Sequence, residues 1–203
     1  MHKIIVLLSA SVAFAAAAGF AARAEEPVDT TAFAQRLFAV KSVDKKTYAC
    51  FVRRYDAAHL KQHPLQKVSA MKMLMTVEKS DEDASPQYGF RLGVGFRNRP
   101  GAFSSGGSCS DAKALPDGGR MMISCGVDCD GGALYVTLAS GDKSVVVDLD
   151  QIRIWDVNKP DEDATQSLPA GADDKSFRLD RANLEECASL APDHDELEAM
   201  RHQ

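Results

Sequence analysis

The segment Tyr88-Gly-Phe-Arg-Leu-Gly-Val-Gly-Phe-Arg97 alternates with period two, and it constrains the fold of this chain more than any other stretch. In an extended backbone successive side chains point to opposite faces. Tyr88, Phe90, Leu92, Val94 and Phe96 therefore share one face, and Gly89, Arg91, Gly93, Gly95 and Arg97 share the other. Such a strand is apolar toward a core and nearly bare on its back. Glycines inside a strand weaken it and mark a bend, a bulge or the close approach of another group.

Similar runs predict strands near Tyr48 to Arg54, Val68 to Val77, Arg120 to Cys125, Ala133 to Leu138, Ser144 to Leu149 and Ile152 to Trp155. Pro100-Gly101, Asp117-Gly118, Asp130-Gly131 and Gly141-Asp142 supply turns between them. The expected fold is mainly β: an antiparallel meander closing into a small β-barrel or a two-sheet sandwich, with one short C-terminal helix. That helix is expected to start at Asp180 as N-cap and to present Leu184, Cys187 and Leu190 on one stripe. A shorter helical turn is expected at Asp56 to His63. Asp81-Glu82-Asp83 and Asp161-Glu162-Asp163 read as two solvated loops rather than an internal duplication.

Ahead of this domain the chain starts Met-His-Lys, runs apolar from Ile4 to Phe20, and reaches Ala22-Arg23-Ala24 before Glu25. A basic start, an apolar stretch and a small-x-small site describe a cleavable secretory signal over residues 1–24. The alternative is an uncleaved membrane anchor, since a span needs about 20 residues. Ser9, Ser11, Gly19 and the cleavage site favour the signal. The expected organisation is then a linker over 25–45, one β-rich domain over 46–190, and a disordered acidic tail over 191–203, in the periplasm or secreted. Loss of Lys3 and Arg23 with the signal leaves 22 basic against 29 acidic residues, a net charge of −7. Nucleic acid and anionic membranes are poor partners for such a surface.

All five cysteines lie in the exported portion, where accessible thiols oxidise. Cys109 and Cys125 flank the Asp117-Gly118 turn and are expected to pair across a hairpin. Cys129 is expected to bridge to Cys187, tying the late helix to the sheet, with Cys50 free and buried beside Tyr48 and Val52. A zinc site is the alternative for this set, but Cys125-Gly-Val-Asp-Cys129 lacks zinc-ribbon spacing. Asp128-Cys-Asp-Gly-Gly132 resembles part of a calcium loop and lacks its downstream bidentate acid.

His59 and His63 are four apart, a spacing that shares a helix face, but Pro64 pushes His63 out of helical geometry. Met71, Met73 and Met75 share one strand face and could, with His59, bind Cu(I), although core packing explains the same pattern. No Gly-x-Ser-x-Gly elbow and no Cys-x-x-Cys pair occurs in the sequence, and Gly101 to Gly107 does not lead from a strand into a helix.

Tyr55-Asp-Ala-Ala-His-Leu60 with His63-Pro64 and Gln66, then Cys125-Gly-Val-Asp-Cys-Asp-Gly-Gly132, then Phe177-Arg-Leu-Asp-Arg-Ala182 with Leu184 and Cys187, resembles a group of small exported bacterial proteins. The resemblance implies export and a single domain, and it implies no catalytic residue and no cofactor. The expected function is a non-enzymatic β domain that binds a small ligand, an envelope component or a protein, with Arg91 and Arg97 beside bare backbone able to meet an acidic partner. Copper or zinc handling through His59, Met71, Met73 and Met75 is the alternative, and an enzyme with an unfamiliar site is a third.

Overall fold

A computed structural model describes residues 30–82, 85–115, 120–128, 130–159, 166–169 and 171–203. The signal segment, Cys129 and the Asp117-Gly118 turn fall outside them. The described chain forms ten strands: β1 (Thr47–Arg54), β2 (Val68–Lys79), β3 (Pro86–Phe96), β4 (Phe103–Cys109), β5 (Lys113–Ala114), β6 (Met121–Val127), β7 (Gly132–Leu138), β8 (Ser144–Asp156), β9 (Gln166–Pro169) and β10 (Ser176–Ala182). Every pairing is antiparallel. The ladder runs β10-β1-β2-β3-β4-β6-β7-β8, and β8 pairs back onto β10, so the sheet closes into a ring.

The two strands expected between Ser144 and Trp155 are one. The first half of β8 pairs with β7 and β10, and its second half swings out to pair with β9 and with the start of β4. A register shift opposite Gly132 and Leu134 allows the swing.

The period-two pattern sends Phe51 from β1, Met71, Met73 and Met75 from β2, Leu92 from β3 and Val145 and Val147 from β8 to the inside, all fully buried. The ring is a packed core. One end is plugged by α1 (Thr30–Phe38), whose Phe33, Leu37 and Phe38 are buried, and whose Phe33 and Phe38 rings both lie 6.3 Å from the Tyr88 ring. Residues 25–45 were expected to be a linker; the i, i+4 pair Phe33 and Leu37 with Phe38 makes part of that stretch an amphipathic plug instead. Arg36 forms a two-pronged ion pair with Asp142 in the β7–β8 turn. Arg181 donates to the carbonyls of Arg36, Leu37 and Asp142, which satisfies the open end of the helix.

A second apolar cluster sits outside the ring. Tyr48, Cys50 and Val52 do share a face, but it is the outer one; with Leu74 they are covered by a 3₁₀ helix (Leu184–Leu190) and by α3 (His194–Arg201), through Leu190 and Met200. This overturns two expectations. Cys187 bridges Cys50, not Cys129, and Cys50 is not free. The reason is that β1 is buried on both faces, so the partner for Cys187 lies on the outside of β1. The helix also does not begin at Asp180, because Phe177 and Leu179 alternate inward on β10 and helical structure starts after Asn183.

The tail 191–203, expected to be disordered, carries α3. Asp193 caps it by accepting from the Glu196 amide, Met200 docks, and the Gln203 side chain bonds both backbone groups of Tyr48. The Cys109–Cys125 bridge forms as expected, between residues directly opposite each other on β4 and β6. Strand β4 covers most of Gly101 to Gly107, a Gly/Ser-rich stretch where no strand was expected. α2 (Ala57–Gln62) forms where a turn was expected, with Asp56 accepting from the His59 amide.

Candidate binding cleft

Antiparallel register places directly opposed side chains on the same face. Three cross-strand rows therefore tile the outside of the sheet: Val52, Lys72, Gly93, Ser104 and Trp155; Cys50, Leu74, Arg91 and Gly106; Tyr48, Thr76, Gly89, Ser108 and Gly126. The first two positions of each row lie under or against the C-terminal flap formed by the 3₁₀ helix and α3. Beyond the flap each row drops to glycine or serine, except at Arg91, and the first ends on Trp155. The result is a trough with the flap as one wall, Trp155 and Val157 as the other, and the backbone of β3 and β4 as floor.

Among the described residues three hollows open along this trough, two of them beside the C-terminal flap. One, of about 470 Å³, is lined by Arg91, Gly106, Ser108, Asp128, Trp155 and Glu196 among others. Its neighbour, of about 250 Å³, lies over Lys72, Gly93, Ser104 and Leu190. Three of the floor glycines have packing reasons: a Cβ on Gly89 would stand 2.7 Å from the Thr76 hydroxyl, one on Gly93 3.0 Å from Leu190, and one on Gly106 3.2 Å from the Phe90 carbonyl oxygen. At Gly126 an added Cβ would meet nothing within 4 Å, so the fold does not demand that glycine.

The charges are arranged unevenly. Lys46 is neutralised by Glu196 at 2.9 Å. Arg91 and Lys72 make no hydrogen bond or ion pair among the described residues, and they sit diagonally across β2 and β3. Glu186, on the flap, has its carboxyl held below the usual range chiefly by its hydrogen bond from Arg54, with Lys72 adding a smaller pull. Under the flap, Tyr48 faces Glu196 without reaching hydrogen-bond geometry, and burial first, then that carboxylate, pushes its hydroxyl up to about 12. The Trp155 indole N–H is likewise without a hydrogen bond among the described residues.

The other sequence candidates lie elsewhere. Arg97 is past the end of β3 and donates to the Leu60 carbonyl at 3.1 Å, in a separate hollow at the end of the barrel, so it does not act with Arg91. Met71, Met73 and Met75 are fully buried in the core, out of reach of an entering metal ion. His59 stacks between Tyr55 and His63 at 4.5 and 4.3 Å and meets Gln66 at 3.0 Å, so Pro64 ends the helix without turning His63 away. Among the described residues no three His, Cys, Asp or Glu side chains are placed to hold a metal ion.

Lys72 and Trp155 escaped the sequence reading. Lys72 lies among core methionines, and the half of β8 that carries Trp155 reaches the trough only because the strand leaves β7. Comparison with protein-family models, with curated proteins and with solved structures finds no match. No described helix is long and apolar enough to cross a membrane.

Proposed function

We propose that this protein is an exported, non-catalytic binding module whose trough across β3 and β4 takes an anionic ligand at Arg91 and Lys72. One observation carries the reading: two cations without ion-pair partners among the described residues stand over a floor of glycine and serine, between two built walls. At Ser104, Ser108 and Gly126, where the fold does not demand a small residue, a strand exterior that only met solvent would gain stability from β-branched or paired side chains. A charge-assisted contact to an unpaired guanidinium is among the stronger polar interactions open to a ligand. Export is supported by the two disulfides, which persist in oxidising compartments, and by the signal-like start of the sequence.

Material retained from a cell-envelope extract by immobilised protein tests the reading. The Arg91→Gln, Lys72→Gln double variant is expected to lose a component that the wild type and Arg97→Gln both keep. An identical retained set for all three proteins would contradict the site.

A further inference from the structure

We infer that the ligand of this trough is a carboxylated sugar chain, a conclusion that rests on the trough being a binding site. Four features choose that chemistry. Trp155, the only tryptophan of the chain, forms part of the wall, and its indole N–H makes no hydrogen bond among the described residues; a half-buried aromatic face with a polar tip suits the apolar face and hydroxyl rim of a pyranose. The floor between Trp155 and Arg91 is backbone, Ser104 and Gly106, so a ring can lie close against it.

Arg91 and Trp155 stand two strands apart and two residues out of register, roughly 12 Å between backbones, so a sugar ring against Trp155 and a carboxylate at Arg91 fit one ligand lying across the floor. The lining also mixes donors and acceptors. Asp128 and Glu196 border the same hollow as Arg91. A polyphosphate, which offers only acceptor oxygens and no donor, would meet the Asp128 carboxylate with repulsion. A glycan places hydroxyls there, which can donate to carboxylates, and brings a carboxylate to the guanidinium fork in the geometry that arginine binds best.

Fluorescence of Trp155 reports this site alone, because no other tryptophan contributes. The oxidised protein is titrated with tetragalacturonate, a hyaluronan tetrasaccharide, neutral chitotetraose, tetraglutamate and inorganic phosphate. At least one of the two uronic oligosaccharides is expected to shift the emission and to bind tenfold or more tightly than chitotetraose. Arg91→Gln should weaken that binding by about tenfold or more, the equivalent of one charge-assisted contact. In calorimetry Trp155→Ala should also weaken it, with an unchanged melting temperature showing that the fold is intact.

Tighter binding of tetraglutamate or phosphate than of either uronic oligosaccharide would overturn the sugar assignment and leave the anion site standing. Absence of any response to all five probes, with Arg91→Gln indistinguishable from wild type in the envelope-retention assay, would overturn both.

Discussion

Removal of the Cys50–Cys187 bridge should cost this protein more than removal of the other disulfide, and it should act on one region first. The bridge spans a sequence separation of 137 residues, for which the chain-entropy relation gives about 5 kcal/mol. Cys109–Cys125 spans 16 residues, worth about 3 kcal/mol on the same relation. Both figures are upper values, because real denatured chains are already compact.

The flap keeps some grip without its bridge, since buried Leu190 and Met200 each contribute about 2 kcal/mol by area. It should therefore open locally before the barrel melts. The variants are Cys50→Ala with Cys187→Ala, and Cys109→Ala with Cys125→Ala, each with Cys129→Ser so that no thiol exchanges. Urea unfolding gives the global loss, and amide hydrogen exchange gives the local one. The first pair should lower stability more than the second and should speed exchange across residues 184–201 while β6 and β7 stay protected. An equal or smaller loss for the first pair, with the flap as protected as in wild type, would show that the Cys50–Cys187 bridge does not anchor the flap.

Other consequences follow from single contacts. Asp174 is buried and accepts from the Lys67 and Val68 amides at 2.7 and 3.2 Å, so Asp174→Ala leaves two donors unpaired and should cost about 3 kcal/mol in urea unfolding, with Asp174→Asn costing less. Arg181→Met should free the end of α1 while keeping the packing on Phe51, visible as faster exchange at residues 30–38 with β2 unaffected. Tyr48 and Tyr88 both have hydroxyls pushed up to about 12, mainly by burial. In the unfolded chain they ionise near pH 10, so unfolding releases protons between the two values. Stability is thus full below about pH 10 and falls as pH rises toward 12, by roughly 2 kcal/mol per tyrosine. Tyr48→Phe and Tyr88→Phe should each flatten that loss in alkaline denaturation.

The inward alternation of β2 and β3 is written plainly in sequence, because Met71, Met73, Met75 and Val77, and Tyr88, Phe90, Leu92, Val94 and Phe96, recur at every second position. β4 is not. Its inner face is Phe103, Ser105 and Gly107, which has no apolar rhythm because neighbouring backbones come so close that little room remains. The pairing of Cys109 with Cys125 could be read from symmetry about one turn, whereas Cys50 with Cys187 could not. That pair joins distant segments, and the test that would find it is whether both faces of β1 are apolar: Tyr48, Ala49, Cys50, Phe51 and Val52 are all buried. The helix in the tail also left a trace, Asp193 followed by Glu196 as cap and third residue, with Leu197 and Met200 on one side. Arg91 was legible as a cation beside glycine. Its setting was not, since the walls of the trough come from the chain end and from a strand that changes partner.

Under the proposed function, the outer face of β3 and β4, between the flap and Trp155, is where this protein meets its ligand. Backbone amide shifts measured during titration with the tighter-binding uronic oligosaccharide test it most directly. Changes should concentrate at Gly89, Arg91, Gly93, Gly106 and Ser108 and at the Trp155 indole N–H. Changes centred instead on the hollow at Leu65, Phe96 and Arg97, with the trough residues still, would contradict it.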